Sequence, residues 1–111
     1  ATLSEYGIDV KVIVLHNDTL GMIVQLQDFF YNHHYSQCTL NKRKNLPMLA
    51  ESLGVKGYAI EKQDDLTPVL KEAFAHKGPA LVDIRISPEE RVYPTVPGGK
   101  ALSDMILGGD A

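Results

Sequence analysis

The sequence predicts an α/β fold: a parallel sheet with flanking helices, followed by an irregular C-terminal tail. Three observations carry that prediction. Segments of helical period alternate with short β-branched segments along most of the chain, as in layered domains with right-handed crossovers. The run Val12-Ile13-Val14-Leu15 shows no polar alternation, which marks a strand covered on both faces. After Ser87-Pro88 the composition shifts, and residues 92–99 hold two prolines and two glycines, so this stretch is extended and irregular.

Each element has its own local reason. In the opening Ala1-Thr2-Leu3-Ser4-Glu5-Tyr6-Gly7, Leu3 and Tyr6 share a helical face and Gly7 suits a left-handed C-cap. A chain that opens on a helix already under way, with Ala1 in place of Met, reads as a piece of something longer. Residues 8–15 form the first strand, ended by His16-Asn17-Asp18. Residues 20–32 form a helix carrying Met22, Ile23, Leu26, Phe29 and Phe30 nearly all the way round, so it is expected to be largely buried. Residues 32–44 are polar and aperiodic and form a loop. Asn45 is an N-cap with Pro47 in the first turn, Leu46, Leu49, Ala50 and Leu53 follow at helical spacing, and Gly54 stops the helix. Residues 55–60 are a short strand weakened by Gly57. Asp64 or Asp65 caps the next helix, whose stripe is Leu66, Val69, Leu70, Ala73 and Phe74; Pro68 lies early enough to remove no needed hydrogen bond. Gly78-Pro79 ends it, residues 80–86 form the third strand, and Leu102, Met105 and Ile106 indicate one short terminal helix. The domain reading is a cofactor-type α/β unit over residues 1–86 and a tail over 87–111.

Composition narrows the function classes. At 111 residues and 12.2 kDa, with 44% hydrophobic and 23% charged residues, the chain is one globular domain rather than a disordered one. Eleven Lys and Arg against fourteen Asp and Glu give a net charge of −3. No basic face for nucleic acid or an anionic membrane follows from that. The single cysteine, Cys38, excludes an internal disulfide framework and a Cys-rich zinc site. It fits a reducing compartment. No cationic start with an apolar stretch marks a signal peptide, and no apolar run is long enough to span a bilayer.

In open α/β sheets ligands bind at the carboxyl ends of strands, often at a helix N-terminus. Here the first strand runs into His16-Asn17-Asp18-Thr19, and Leu20-Gly21-Met22 opens a helix. The junction offers an amide oxygen, a carboxylate, main-chain carbonyls and helix N–H groups. Such oxygens suit Mg²⁺ or Ca²⁺, and the helix end suits a phosphate. An Asn-Asp turn that merely caps a helix is the commoner meaning of this spacing. His33-His34 is a solvated loop pair, since helical neighbours do not share a face. Lys42-Arg43-Lys44 is a solvated charge run. Cys38 has no activating partner in sequence and reads as a spectator thiol. Met22, Leu26, Phe29 and Phe30 line a pocket or form core. No Ser-His-Asp order, phosphate-binding P-loop or full Gly-x-Gly-x-x-Gly is present.

Residues 10–30, with their strand, Asn17, Leu20-Gly21-Met22, Gln25 and Phe29-Phe30-Tyr31, resemble the second half of the thiamine-diphosphate motif. More narrowly, they resemble the C-terminal cofactor domain of the large catalytic subunit of acetohydroxyacid synthase (acetolactate synthase). Residues 36–53, Gly78-Pro79-Ala80-Leu81-Val82-Asp83, and Val92-Tyr93-Pro94-Thr95-Val96-Pro97-Gly98-Gly99 with Leu102 extend the likeness over essentially the whole chain. The resemblance implies decarboxylation of pyruvate on thiamine diphosphate and its condensation with a second 2-ketoacid, in branched-chain amino-acid synthesis. It implies Mg²⁺ held by the cofactor's diphosphate, by an Asp of a Gly-Asp-Gly motif, by Asn17 and by the main-chain oxygen of Thr19. It places Leu20, Gly21 and Met22 against the cofactor and Met22 and Leu26 in the substrate pocket; Asp18 is a lesser candidate. No side chain of the chain is assigned as acid or base, that role belonging to the cofactor's own amine. The implied partners are small-molecule 2-ketoacids, further copies of a full-length subunit as dimer or tetramer, and a small regulatory subunit, with neither nucleic acid nor membrane. The implied compartment is a bacterial-type cytoplasm.

Two positions depart from the family pattern. Leu26 stands where the family usually has Trp, and the chain has no Trp; Thr95 stands where Met is usual. The Gly-Asp-Gly half of the motif, the domain whose glutamate activates the cofactor ring and the FAD-binding domain are expected outside these 111 residues. A catabolic acetolactate synthase without FAD, or another thiamine-diphosphate decarboxylase or carboligase, is the near alternative. A stand-alone non-catalytic α/β interaction module is the distant one.

Overall fold

The computed structural model describes residues 1–40 and 44–108. Lys42 and Arg43 of the basic run, and part of the loop expected over 32–44, lie outside the described residues. Two compact units make up the chain: Ala1–Asn17 with the described part of Lys42–Ile86, and the described parts of Asp18–Asn41 and Ser87–Ala111.

The first unit is the sheet layer. Helix α1 (Thr2–Glu5) ends at Gly7, whose φ of 59° is the left-handed value that glycine adopts without a Cβ penalty. Strand β1 is Lys11–His16, helix α3 is Leu46–Ser52, β2 is Lys56–Ile60, α4 is Leu66–Ala75 and β3 is Ala80–Arg85. The three strands are all parallel in the order β1-β3-β2, with Lys11 and Lys56 both level with Ala80. The Oδ1 of Asn45 accepts from the Met48 N–H at 2.9 Å, the N-cap that the sequence indicates. Ile60, Ala73 and Val82 form the core, with Tyr58, Leu66, Val69, Leu70 and Ile84 packed on it, so α4 covers that face of the sheet. The other face is set by Gly57: a Cβ there would lie 2.5 Å from the Pro47 carbonyl oxygen. Gly57 thus lets α3 close directly on β2, where the sequence alone reads only a weakened strand.

Four expectations are corrected within these elements. The doubly covered strand is β3, with Ala80 and Val82 fully buried; β1 is an edge strand, and Val12, Ile13 and Leu15 are exposed on its two faces. An unbroken apolar run shows that a strand is apolar on both sides, not which strand has neighbours on both edges. Neither Asp64 nor Asp65 makes a side-chain cap: a 3₁₀ turn over Gln63–Asp65 precedes α4, and Asp65 holds the N-cap position without a side-chain hydrogen bond. Phe74 continues the α4 stripe in sequence but is 64% exposed and is not among the residues packed on Ile60, Ala73 and Val82. The terminal helix is only a 3₁₀ turn at Leu102–Asp104, and Ile106 pairs instead with Thr95 in an antiparallel bridge.

The second unit is built on α2 (Gly21–Phe30). That helix is also less buried than its apolar residues suggest. Met22, Ile23, Leu26 and Phe30 are exposed, and the buried positions are Val24 and the polar Gln25. Its partners in the unit are short extended segments rather than a sheet, and they cover a single side of it.

Candidate functional site

Strand β1 delivers the chain to Asn17, which follows His16 directly and is half-buried. At Asp18 the backbone turns through φ 55°, a left-handed value that Asp tolerates. Thr19 then pairs with Thr39 in an antiparallel bridge. The flanking bonds are Leu20 N–H to Cys38 C=O and Leu40 N–H to Asp18 C=O, each 2.8 Å. In this pattern the residue between the bonds turns its own N–H and C=O to the opposite side. The main-chain oxygen of Thr19 is therefore directed away from the 38–40 segment. The resemblance implies this same atom as a metal ligand.

Helix α2 opens immediately afterwards. Its N-cap is Leu20, with no side-chain cap, and no acidic residue lies in its first turn. The N-cap residue itself thus supplies no side-chain acceptor to the first N–H groups, in contrast to α3 with its Asn45 cap. The donor set at this junction fits Mg²⁺ with a diphosphate: neutral amide and carbonyl oxygens for the ion, helix N–H groups for the anion. Among the described residues no group of three or more His, Cys, Asp or Glu side chains converges to hold a metal.

One turn along α2, an apolar recess of about 140 Å³ opens between the helix and the tail. Met22, Leu26, Phe29 and Phe30 line its helix side and 95–98 its tail side. The structure thus brings Met22 and Leu26, the two proposed pocket residues, to one wall. The tail is held there by Gln25, which is only 3% exposed. Its Nε2 donates to the Val92 carbonyl at 3.0 Å, and its Oε1 accepts from the Val92 N–H at 2.9 Å. Phe29 lies against Tyr93, ring centroids 6.4 Å apart.

Asp28 is a residue that the sequence reading missed. Tyr35 donates to its Oδ1 at 2.6 Å, His33 Nδ1 lies 3.2 Å from the same oxygen, and Arg91 Nε donates to its Oδ2. Desolvation pushes the Asp28 carboxyl upward, but the hydrogen bonds from Tyr35, Arg91 and His33 outweigh it and hold the pKa at about 2. The Asp28 bond pushes Tyr35 and Arg91 upward in turn. The one signal for this network in the sequence was the single charged residue inside a mostly apolar helical run. His33 sits on Asp28 at 57% side-chain exposure, beside the solvent as a loop residue.

In the sheet unit a second polar group lies at the carboxyl side of the strands. His16 Nδ1 is 3.2 Å from Asp83 Oδ1, and both side chains are largely buried. Asp83 also lines a depression with Lys44, Asn45 and Glu61.

Residues 1–84 match the family described as thiamine pyrophosphate enzyme, C-terminal TPP binding domain. The chain is 42% identical over 107 residues to the mitochondrial acetolactate synthase of Schizosaccharomyces pombe, covering 96% of this chain and 16% of that protein. It is 41% identical over 108 residues to the acetolactate synthase large subunit of Haemophilus influenzae, covering 96% and 19%. It is 36% identical over 106 residues to the acetolactate synthase isozyme 1 large subunit of Escherichia coli, again covering 96% and 19%. The chain thus spans less than a fifth of the length of these relatives.

Proposed function

From a chain that belongs to the thiamine pyrophosphate enzyme family, through its C-terminal TPP-binding domain, we propose the acetolactate synthase reaction: decarboxylation of pyruvate and condensation with a second 2-ketoacid. The observation that carries this reading is the Asn17-to-Met22 junction, where oxygen donors meet a helix start that has no side-chain cap. Asn17, through its amide oxygen, and Thr19, through its main-chain oxygen, hold Mg²⁺. The N–H groups that begin α2 bind the diphosphate, with Leu20 and Gly21 leaving room for its approach. Met22 and Leu26 would form the apolar wall of the pocket and keep water out of it. Thiamine diphosphate, when bound, supplies the carbanion-stabilising chemistry.

The site is complete only with residues outside this chain, so the active species is a homo-oligomer of a longer subunit, with FAD and a small regulatory subunit as further components. Leu26 at the recess wall favours one second reading, an acetolactate synthase without FAD; the visible spectrum of the native polypeptide separates the two. The compartment proposed is the cytoplasm of a bacterial-type cell. Two relatives carry mitochondrial names, and cell fractionation decides between these compartments.

The decisive experiment is calorimetric. In the native polypeptide, with whatever sequence flanks these residues, Asn17→Ala is expected to weaken Mg²⁺-dependent binding of thiamine diphosphate about tenfold or more. Unchanged binding sinks the assignment.

A further inference from the structure

Two glutamines of α2 clasp backbone amides in the same way. Gln27 donates through Nε2 to the Ser36 carbonyl at 3.0 Å, and its Oε1 accepts from the Ser36 N–H at 3.1 Å. Gln25 does the same with Val92, at 3.0 and 2.9 Å. The two differ in setting. Gln27 ties down a loop, half-buried. Gln25 is 3% exposed and ties down the segment that goes on to form the far side of the Met22–Leu26 recess. A carboxamide on a helix otherwise rich in apolar residues is costly to bury unless both its donor and its acceptor are used. Here one N–H and the oxygen are both used, on the C=O and N–H of a single residue, Val92, so the pairing fixes the position of the tail as well as its presence.

The neighbouring contacts share the load. Asp28, one helical turn from Gln25, holds Arg91, the residue before Val92. Beyond the clasp, Thr95 exchanges N–H and C=O bonds with Ile106 at 2.9 and 2.8 Å. Residues 95–98 are thereby anchored at their N-terminal end, and Gln25 is the clasp from the helix that borders the recess.

We propose that Gln25 is a positioning residue: its two bonds to Val92 set the distance of 95–98 from Met22 and Leu26 and so set the width of the 2-ketoacid pocket. The substrate class rests on the function proposed above; the clasp itself does not. Gln25 itself borders the recess, and it acts by holding the tail.

The test uses the native polypeptide and two readouts, hydrogen exchange by mass spectrometry and steady-state kinetics. Gln25→Met keeps the length and apolar character but removes both bonds. It is expected to speed exchange across 92–98 about tenfold while exchange across 80–85 stays unchanged. In the same variant KM for pyruvate is expected to rise about fivefold with kcat nearly constant, the split that marks lost ground-state positioning. Gln25→Glu keeps the acceptor and loses the donor, and is expected to fall between wild type and Gln25→Met on both readouts. Gln27→Met is the control: it loosens 34–38 and leaves KM unchanged. Unchanged exchange across 92–98 in Gln25→Met, or an equal KM rise in Gln27→Met, overturns the proposal. Should Gln25→Met lose protection in β3 as well, it has unfolded, and Gln25→Glu decides on the same readouts. A native polypeptide with no thiamine-diphosphate-dependent turnover overturns the function above instead; the exchange readout needs no cofactor and still decides the clasp.

Discussion

At the scale of single residues, the informative positions are those where chemistry and surroundings disagree. Gln25 is polar and buried, Leu26 beside it is apolar and 45% exposed. The pattern of the helix predicts the reverse, and the recess explains it, because Leu26 faces an opening while Gln25 faces the tail. Where the resembling family has Trp, the smaller Leu26 leaves the wall lower, so the preference for 2-ketobutyrate over pyruvate as second substrate should be relaxed. In the native polypeptide Leu26→Trp is expected to raise that preference about tenfold, the order that a change of apolar pocket contact supports. A competition assay between the two ketoacids checks it, and an unchanged product ratio argues against Leu26 as a pocket residue. Gly57 is the second such position. A Cβ there would meet Pro47 backbone atoms at 2.5 to 2.8 Å, and backbone cannot swing aside as a flexible side chain can. Gly57→Ala is expected to cost about 1–3 kcal/mol, read as a lower urea midpoint with an unchanged slope.

At the scale of elements, the unit formed by α2 and the tail is held by polar clasps more than by a shared apolar core. Such a unit should respond to pH through Asp28. The folded pKa of Asp28 is about 2, below its ordinary 3.8. A depressed carboxyl stabilises the fold at pH values above its ordinary pKa, and that contribution is lost as pH falls from about 4 towards 2. Asp28→Asn should therefore be less stable than wild type at pH 7, by about 1–2 kcal/mol for the loss of charge-assisted hydrogen bonds. The difference should shrink steadily between pH 4 and pH 2. Urea denaturation of both proteins across that range measures it, and a gap that does not change with pH removes Asp28 from the account. Lys11 works similarly at the other end of the sheet unit. Its Nζ donates to the carbonyls of His76, the C-cap of α4, and Gly78 at 2.9 and 2.6 Å and pairs with Asp9, placing a cation just past the C-terminus of that helix.

At the scale of the whole molecule, each unit exposes large apolar side chains of its own: Val12, Ile13 and Leu15 on β1, and Met22, Ile23 and Phe30 on α2. The activating glutamate and the Gly-Asp-Gly aspartate implied by the resemblance are not among these 111 residues. The isolated 111-residue polypeptide is thus expected to form no acetolactate from pyruvate and to bind thiamine diphosphate only weakly; acetolactate above background in a colorimetric assay contradicts this. The elements themselves were legible along the chain, because each is specified locally: Asn45 and Pro47 open α3, Gly7 and Gly54 close their helices, and β-branched runs mark the strands. The Asn17-to-Met22 junction was legible for the same reason, as six consecutive residues. What the sequence by itself determined is thus the order and type of most elements, the family they belong to, and where along the chain the proposed ligand site begins. Only the tertiary structure decided that β3, not β1, is the covered strand, that Gly57 serves close packing, and that Gln25 and Asp28 grip residues more than sixty positions away. Those pairings depend on which segments meet in space, and a side chain carries no local signal of a partner that distant in sequence.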